Sequence, residues 1–332
     1  MKRNVRIDYM RLISSILVVI IHTSPFAGIH PLLTYSIVDV LPRIAVPFFF
    51  VVSGFYFLNS TSKHQLKQIL NITKVYLIVS LLYLIFNYFY AQNFTLSIKG
   101  ILFQLLIPGV EYHLWFFPTL IYSMLFFYLV RSLLKFKAFT KMCFAFTVVL
   151  YVIGLLGCSY YQIGIKIPFT QLLFDNAYFT IFRRMVLMGF PLFASGYFIK
   201  FLNEKFSPKT AKKVFITSLL LFWAEIYMLY CLKIYSNVVL TIFLYPLSIS
   251  LVWLLIAHPK NNKISLAKYC KFTSEITYYY HPMFLSIISC FVNNRFYKFL
   301  LTVIFFAILS LAIILIMKFL KKEPSTNERI QK

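Results

Sequence analysis

An arginine and a histidine stand eleven residues apart near the start of the chain, with LISSILVVII between Arg11 and His22 and Asp8-Tyr9-Met10 just ahead. Ionisable residues within such an apolar run are costly to place in a membrane, which marks them as functional candidates. Eleven residues at about 100° each return to within roughly 20° of the starting direction, so both side chains lie on one helix face. They are separated by about 16 Å along the axis. That spacing places Arg11 near one membrane surface and His22 about halfway down. A neutral imidazole there can take the proton of a hydroxyl nucleophile. A guanidinium fork can clamp a phosphate or a carboxylate. Each residue also has a plainer reading: a histidine bonded to a neighbouring helix, and an arginine that snorkels to the surface. The shared face favours chemistry for His22 and raises the functional reading of Arg11.

Further candidates are scattered along the chain. Arg183 and Arg184 open an apolar run on the side that positive charge avoids, which points to an anionic partner: a lipid phosphate, a carboxylate or an intramembrane acid. Glu225 is the only acid deep in an expected span and needs a cationic partner or a proton. Ser53 and Gly54 lie in PRIAVPFFFVVSGFYFL, whose prolines predict a kinked helix with carbonyls free to line a cavity. Gly54 reads better as a close-packing residue. Arg43 sits at the outer end of the same span, an ordinary place for an arginine. His113 and His281 are alternative bases, each with a structural reading. His281 is expected about one and a half turns into its span from the cytoplasmic side. Glu225 with a buried arginine could also hold the two charges of an amino acid. No Ser/His/Asp order, HExxH, Walker loop or GxGxxG is present, and no metal site is expected.

The elements that must carry these residues are transmembrane helices. The chain has 332 residues, 61% of them hydrophobic and 13% charged. Repeated apolar runs of about 20 residues identify an all-α, polytopic helical bundle. Ten spans are expected, at 11–29, 42–58, 72–91, 114–131, 143–158, 184–201, 214–232, 238–257, 276–292 and 299–319. They form one membrane domain, 1–320, followed by a polar tail, 321–332, which reads either as a terminus or as a linker to a further soluble domain. The first span has a basic start but no small-residue cleavage site and is expected to be retained.

Charge sets the orientation. With ten spans, one side carries Arg43, Lys99, Lys166, Arg183, Arg184, Lys233, Arg295 and Lys298, and the rest of the 33 Lys and Arg fall on the other. The positive-inside rule then puts both termini in the cytoplasm, with Arg11 at a cytoplasmic mouth. The net charge of +24 is thus a footprint of topology, and no nucleic-acid partner is expected. The two longest outer loops, 92–113 and 159–183, carry Tyr112, His113, Tyr160, Tyr161, Asp175, Asn176 and Tyr178. These residues either shape an outward-facing site or form an interfacial aromatic belt. The five scattered cysteines suggest neither a disulfide framework nor a zinc site.

Taken together, these segments resemble the acyltransferase-3 family of integral membrane proteins. The resemblance rests on an arginine with ten residues before a histidine (Arg11 to His22), on VPFFFVVSGFYFL (46–58), and on HLWFFPTLI (113–121) and YYYHPMF (278–284). It covers nearly the whole chain. It implies a bacterial plasma-membrane enzyme that moves an acyl group, commonly acetyl, from cytoplasmic acyl-CoA to a hydroxyl of an envelope glycan. His22 would then be catalytic, Arg11 would serve the donor end, and Arg183 or Arg184 would support it. HTSPF (22–26), YHLWFFP (112–118) and the size are similar to the membrane half of vancomycin-resistance serine racemases. In those proteins this half is associated with supplying serine, and a soluble racemase follows it. A module for serine uptake is therefore the alternative expectation.

Overall fold

A computed structural model describes residues 3–90, 97–174, 178–234, 239–259 and 264–322. Among sequence features noted above, Asp175, Asn176, Lys2, Lys260, Lys263, Arg329, Lys332 and the tail from 323 lie outside the described residues. Those described are helical, with no strand among them. The main helices are α1 (Val5–Thr23), α2 (Pro31–Leu58), α3 (Ser62–Tyr90), α4 (Ile98–Leu106), α5 (Phe116–Leu133) and α6 (Phe136–Leu156). They continue with α7 (Phe179–Lys205), α8 (Pro208–Cys231), α9 (Leu244–Ala257), α10 (Ile264–Ile288) and α11 (Arg295–Lys322). Every expected span overlaps one of these.

Seven of them are long and apolar enough to cross a membrane: α2, α3, α5, α6, α7, α8 and α11. The others fall short for visible reasons. α9 is apolar but has only 14 residues. α1 carries Arg6, Asp8 and Arg11, and α10 carries Lys268, Lys271 and Glu275. These two charged helices pack against each other more extensively than any other pair. Helices that bear charge in an apolar bundle are shielded by mutual burial, and that shielded seam is where the candidates lie.

Two boundaries differ from expectation in ways that move the site. α1 ends at Thr23 rather than near residue 29. Ser24 adopts φ +46° there, and its N–H caps the carbonyl of Ile20. His22 is therefore one residue from the helix end, not midway along it. α10 begins at Ile264 rather than near 276. Its polar first half reads as loop by hydropathy, yet Ala267, Cys270, Thr273 and Ser274 are buried in the bundle. His281 consequently lies in the last turns of α10, at the opposite end from the one expected.

α2 is irregular where sequence puts its prolines. Thr34–Val40 is a π-helical stretch, Leu41–Ile44 is a 3₁₀ turn containing Pro42 and Arg43, and a regular helix starts only at Ala45. Below that, α2 crosses α7 backbone to backbone. A Cβ on Gly54 would sit 1.9 Å from the Phe193 carbonyl oxygen, and one on Gly196 would sit 2.3 Å from the Phe55 nitrogen. Gly54 thus acts in close packing.

Candidate functional site

α1 carries a different site at each end. At the N-terminal end, Asn4 caps the helix by accepting from the Arg6 N–H, and its amide donates to the Leu255 carbonyl at 2.6 Å. Asp8, buried one turn in, is held by two arginines: Arg3 Nε at 2.7 Å and Arg11 Nη1 at 3.2 Å. The Ser274 hydroxyl of α10 donates to the Arg11 carbonyl at 2.8 Å.

Arg11 and Ser53 line two cavities at once. The outer one is about 460 Å³ and polar, lined also by Arg3, Asp8, Gln68, Asn71 and Lys271. The inner one is about 190 Å³ and aromatic, lined also by Phe49, Phe116, Phe117, Tyr278 and Tyr279. Glu275, 3.5 Å from Lys271, borders the inner cavity. Arg11 is therefore a hinge post between a charged vestibule and an apolar pocket, a combination suited to a ligand with an anionic head and a slender tail.

Tyr278 closes the far side of the inner cavity. Its ring packs on Phe49 and Phe116 at 6.1 and 5.9 Å, and its hydroxyl donates to the His113 carbonyl at 2.9 Å. Beyond it lie three histidines. His113 and His281 have ring centroids 5.2 Å apart, and His281 stacks on His22 at 5.2 Å. Tyr112 meets the His22 ring edge-on at 4.8 Å.

The backbone fixes the protons on two of these rings. His281 Nδ1 faces the carbonyls of Thr277 and Tyr278 at 3.0 and 3.1 Å, so it carries the hydrogen. His113 Nε2 faces the Tyr279 carbonyl at 3.2 Å and does the same. The remaining nitrogens, His281 Nε2 and His113 Nδ1, are buried acceptors without a partner. His113 and His281 are buried, whereas His22 is exposed and its ring makes no hydrogen bond among the described residues. Protein nonetheless fills most of the volume around it. The three rings stack rather than surround a point, and no group of three His, Cys, Asp or Glu is placed to hold a metal among the described residues.

Arginines gather at this end too. Arg43 stands on the 3₁₀ turn of α2, which packs against α1, and the charges of Arg43, Arg183 and Arg184 lie near enough to act on one another. Arg184 lies over the Trp115 ring at 5.2 Å and Arg183 over Phe179 at 5.9 Å. Both belong to a π-helical stretch, Arg183–Gly189.

The sequence candidates are thus divided. Arg11 and Ser53 share the cavities at one end. His22, His113, His281, Arg43, Arg183 and Arg184 share the other. Glu225 belongs to neither, and its expected cationic partner is replaced by neutral donors. It accepts from the Tyr160 hydroxyl at 2.6 Å and from the Ile242 and Phe243 N–H groups at 2.7 and 2.8 Å. It ties α8 to the start of α9, and its oxygens are already occupied. Sequence reasoning gave no weight to Asp8, Tyr278 or Lys271 as site residues. Asp8, three residues before Arg11 on one helix face, carried a usable signal. The tyrosine in YYYHPMF had none to distinguish it from its neighbours.

Residues 4–319 match a family model described as an acyltransferase domain, Acyl_transf_3. Among curated proteins, an amino-acid racemase of Enterococcus faecalis is 35% identical over 180 residues, 51% of this chain and 25% of the relative. A second racemase of that species is 33% identical over 165 residues, 47% of this chain and 22% of the relative. A serine/alanine racemase of Enterococcus gallinarum is 33% identical over 232 residues, 66% of this chain and 32% of the relative. The matches thus take in less than a third of the length of each of these relatives. No solved structure matches.

Proposed function

The chain belongs to the acyltransferase-3 family, and from that premise we propose that it is a multi-pass O-acyltransferase of the bacterial plasma membrane. The donor is a cytoplasmic acyl-CoA, with acetyl as the acyl group, and it enters at the Arg11 end. Both termini are cytoplasmic. The acceptor is a hydroxyl of an envelope glycan, which reaches His22 from the other end. One observation carries the reading: Arg11 lines both a charged vestibule and an aromatic pocket, and Tyr278, which lines that pocket, packs against His113 of the histidine cluster.

The chemistry follows from the placements. Arg3, Arg11 and Lys271 receive the phosphates of the donor, and the pocket beside Phe116 and Tyr278 takes its apolar arm. The acceptor oxygen attacks the thioester carbonyl while His22 takes the hydroxyl proton. The carbon–sulfur bond breaks, and the departing thiolate recovers that proton from the imidazolium. Labelled acetyl-CoA with purified protein and a hydroxyl-bearing glycan tests this. Labelled glycan from the wild type and none from His22→Ala is the expected result. Absence of transfer to every hydroxyl acceptor, or undiminished transfer by His22→Ala, contradicts it.

The racemase relatives favour a second reading, a module for uptake of serine. The unpartnered imidazole nitrogens would accept from its ammonium and hydroxyl groups, with an arginine on its carboxylate. Glu225 is not part of this version, since its oxygens are already bonded. Serine accumulation in proteoliposomes above protein-free vesicles supports it, and uptake equal to that of empty vesicles counts against it.

A further inference from the structure

Arg43, Arg183 and Arg184 form a cationic cluster with no carboxylate within ion-pair distance among the described residues. This is unlike the Arg11 end, where Asp8 sits between two guanidinium groups. Arg43 spends its Nε on the Asp39 carbonyl at 2.9 Å, and the Asp39 carboxylate acts on it only from a distance. Arg183 is 9% exposed; its guanidinium neighbours the Cys158 thiol, and its Nε has no hydrogen-bond partner among the described residues. A buried guanidinium strongly favours a counter-charge, and an anionic ligand would supply one. The backbone is built around the cluster. Arg183 and Arg184 lie on one π-helical stretch and Arg43 on a 3₁₀ turn, departures from the α-helix that often mark functional sites. Trp115 supports the Arg184 guanidinium from below.

Position adds the ligand's role. Trp115, against which Arg184 lies, is two residues from His113, whose ring meets His281 at 5.2 Å, and His281 stacks on His22 at 5.2 Å, so the arginines and the exposed imidazole belong to the same end of the bundle. We propose that Arg43, Arg183 and Arg184 form an oxyanion-binding site that holds a carboxylate or phosphate group of the acceptor while its hydroxyl faces His22. The acceptor is thereby an anionic hydroxyl compound rather than a neutral sugar. The link to His22 rests on the acyltransfer reading, whereas anion binding itself does not.

Trp115 is the reporter. In a Trp223→Phe, Trp253→Phe background it is the one tryptophan left of the three. The full chain in phosphatidylcholine nanodiscs is titrated with glucuronate, glycerol phosphate and glucose, and compared with phosphatidylglycerol nanodiscs. Saturable emission changes with glucuronate or glycerol phosphate, and none with glucose, are expected. Arg43→Gln and Arg184→Gln should weaken binding about tenfold, as loss of one charge-assisted contact implies. Arg184→Lys, which keeps charge and loses the fork, should fall between. His22→Ala should bind within about twofold of the parent, since one imidazole contact is worth little here. That arm separates this site from the catalytic role, because anion binding can survive failure of every transfer assay. A response to phosphatidylglycerol alone assigns the site to a lipid phosphate and overturns the acceptor proposal. Equal response to glucose, or unaltered affinity in properly folded Arg43→Gln and Arg184→Gln, overturns the site itself.

Discussion

The two ends of α1 treat charge in opposite ways. At the Arg11 end a buried carboxylate is shared by Arg3 and Arg11, Lys271 has Glu275, and the vestibule is open and polar. At the His22 end three arginines lack an ion pair among the described residues, and two histidines keep bare, buried acceptor nitrogens. A neutralised network can fold and stand alone, and here it borders an open vestibule lined by charged side chains. The difference teaches that identity of residue says less than how its charge is already satisfied. Arg11 and Arg184 are the same side chain, yet one shares a buried carboxylate and the other lies over Trp115 with no ion pair among the described residues.

The comparison can be broken from either end. The largest effect should come from His22→Ala, which removes the proposed base and should lower kcat/KM for acyl transfer by about 10²–10⁴-fold with little change in thermal stability. Asp8→Asn should do the reverse. Two guanidinium groups lose their shared carboxylate, and about 2 kcal/mol of stability should go, less than for a fully buried pair because both arginines reach solvent. A fall in Tm of the solubilised protein reads this, with anion titration of Trp115 unchanged. An unaltered Tm would mean that the Arg11 end is not held together as described.

How much of this was legible beforehand depended on the kind of signal. Helix positions were, because twenty-residue apolar runs leave a membrane chain little choice. The Arg11–His22 alignment was also readable, since helical period alone puts both on the face that meets α10 through Ser274 and His281. His281 was placed at the wrong end. The first half of α10 is polar and packs against α1 and α11, a tertiary fact that a hydropathy window cannot contain. Glu225 misled for a related reason. Its partners are a tyrosine and two backbone N–H groups across a turn, and backbone donors carry no sequence signature. The uneven neutralisation of the arginines was hidden as well. Counting Lys and Arg gives topology, but only geometry shows which have a carboxylate.

Smaller perturbations sharpen the contrast. Arg11→Gln should raise KM for acyl-CoA about tenfold with kcat nearly unchanged, because its share of donor binding is made in ground and transition states alike. An equal loss in kcat would move Arg11 into the chemistry and blur the division between ends. Smallest of all, Tyr278→Phe keeps the ring between the cavity and the histidines and deletes one hydrogen bond to the His113 carbonyl. About 1 kcal/mol of stability and a several-fold loss of transfer are expected, read by Tm and by initial rate. A loss as large as that of His22→Ala would make the hydroxyl itself a participant.

Sided acyl transfer tests the account most directly. Proteoliposomes of known orientation are given labelled acetyl-CoA on one face and a hydroxyl-bearing, anionic acceptor on the other. Labelled acceptor is expected only when donor meets the Arg11 face and acceptor the His22 face, and none with His22→Ala. Transfer with donor and acceptor both confined to one face, or transfer that survives His22→Ala, would contradict it.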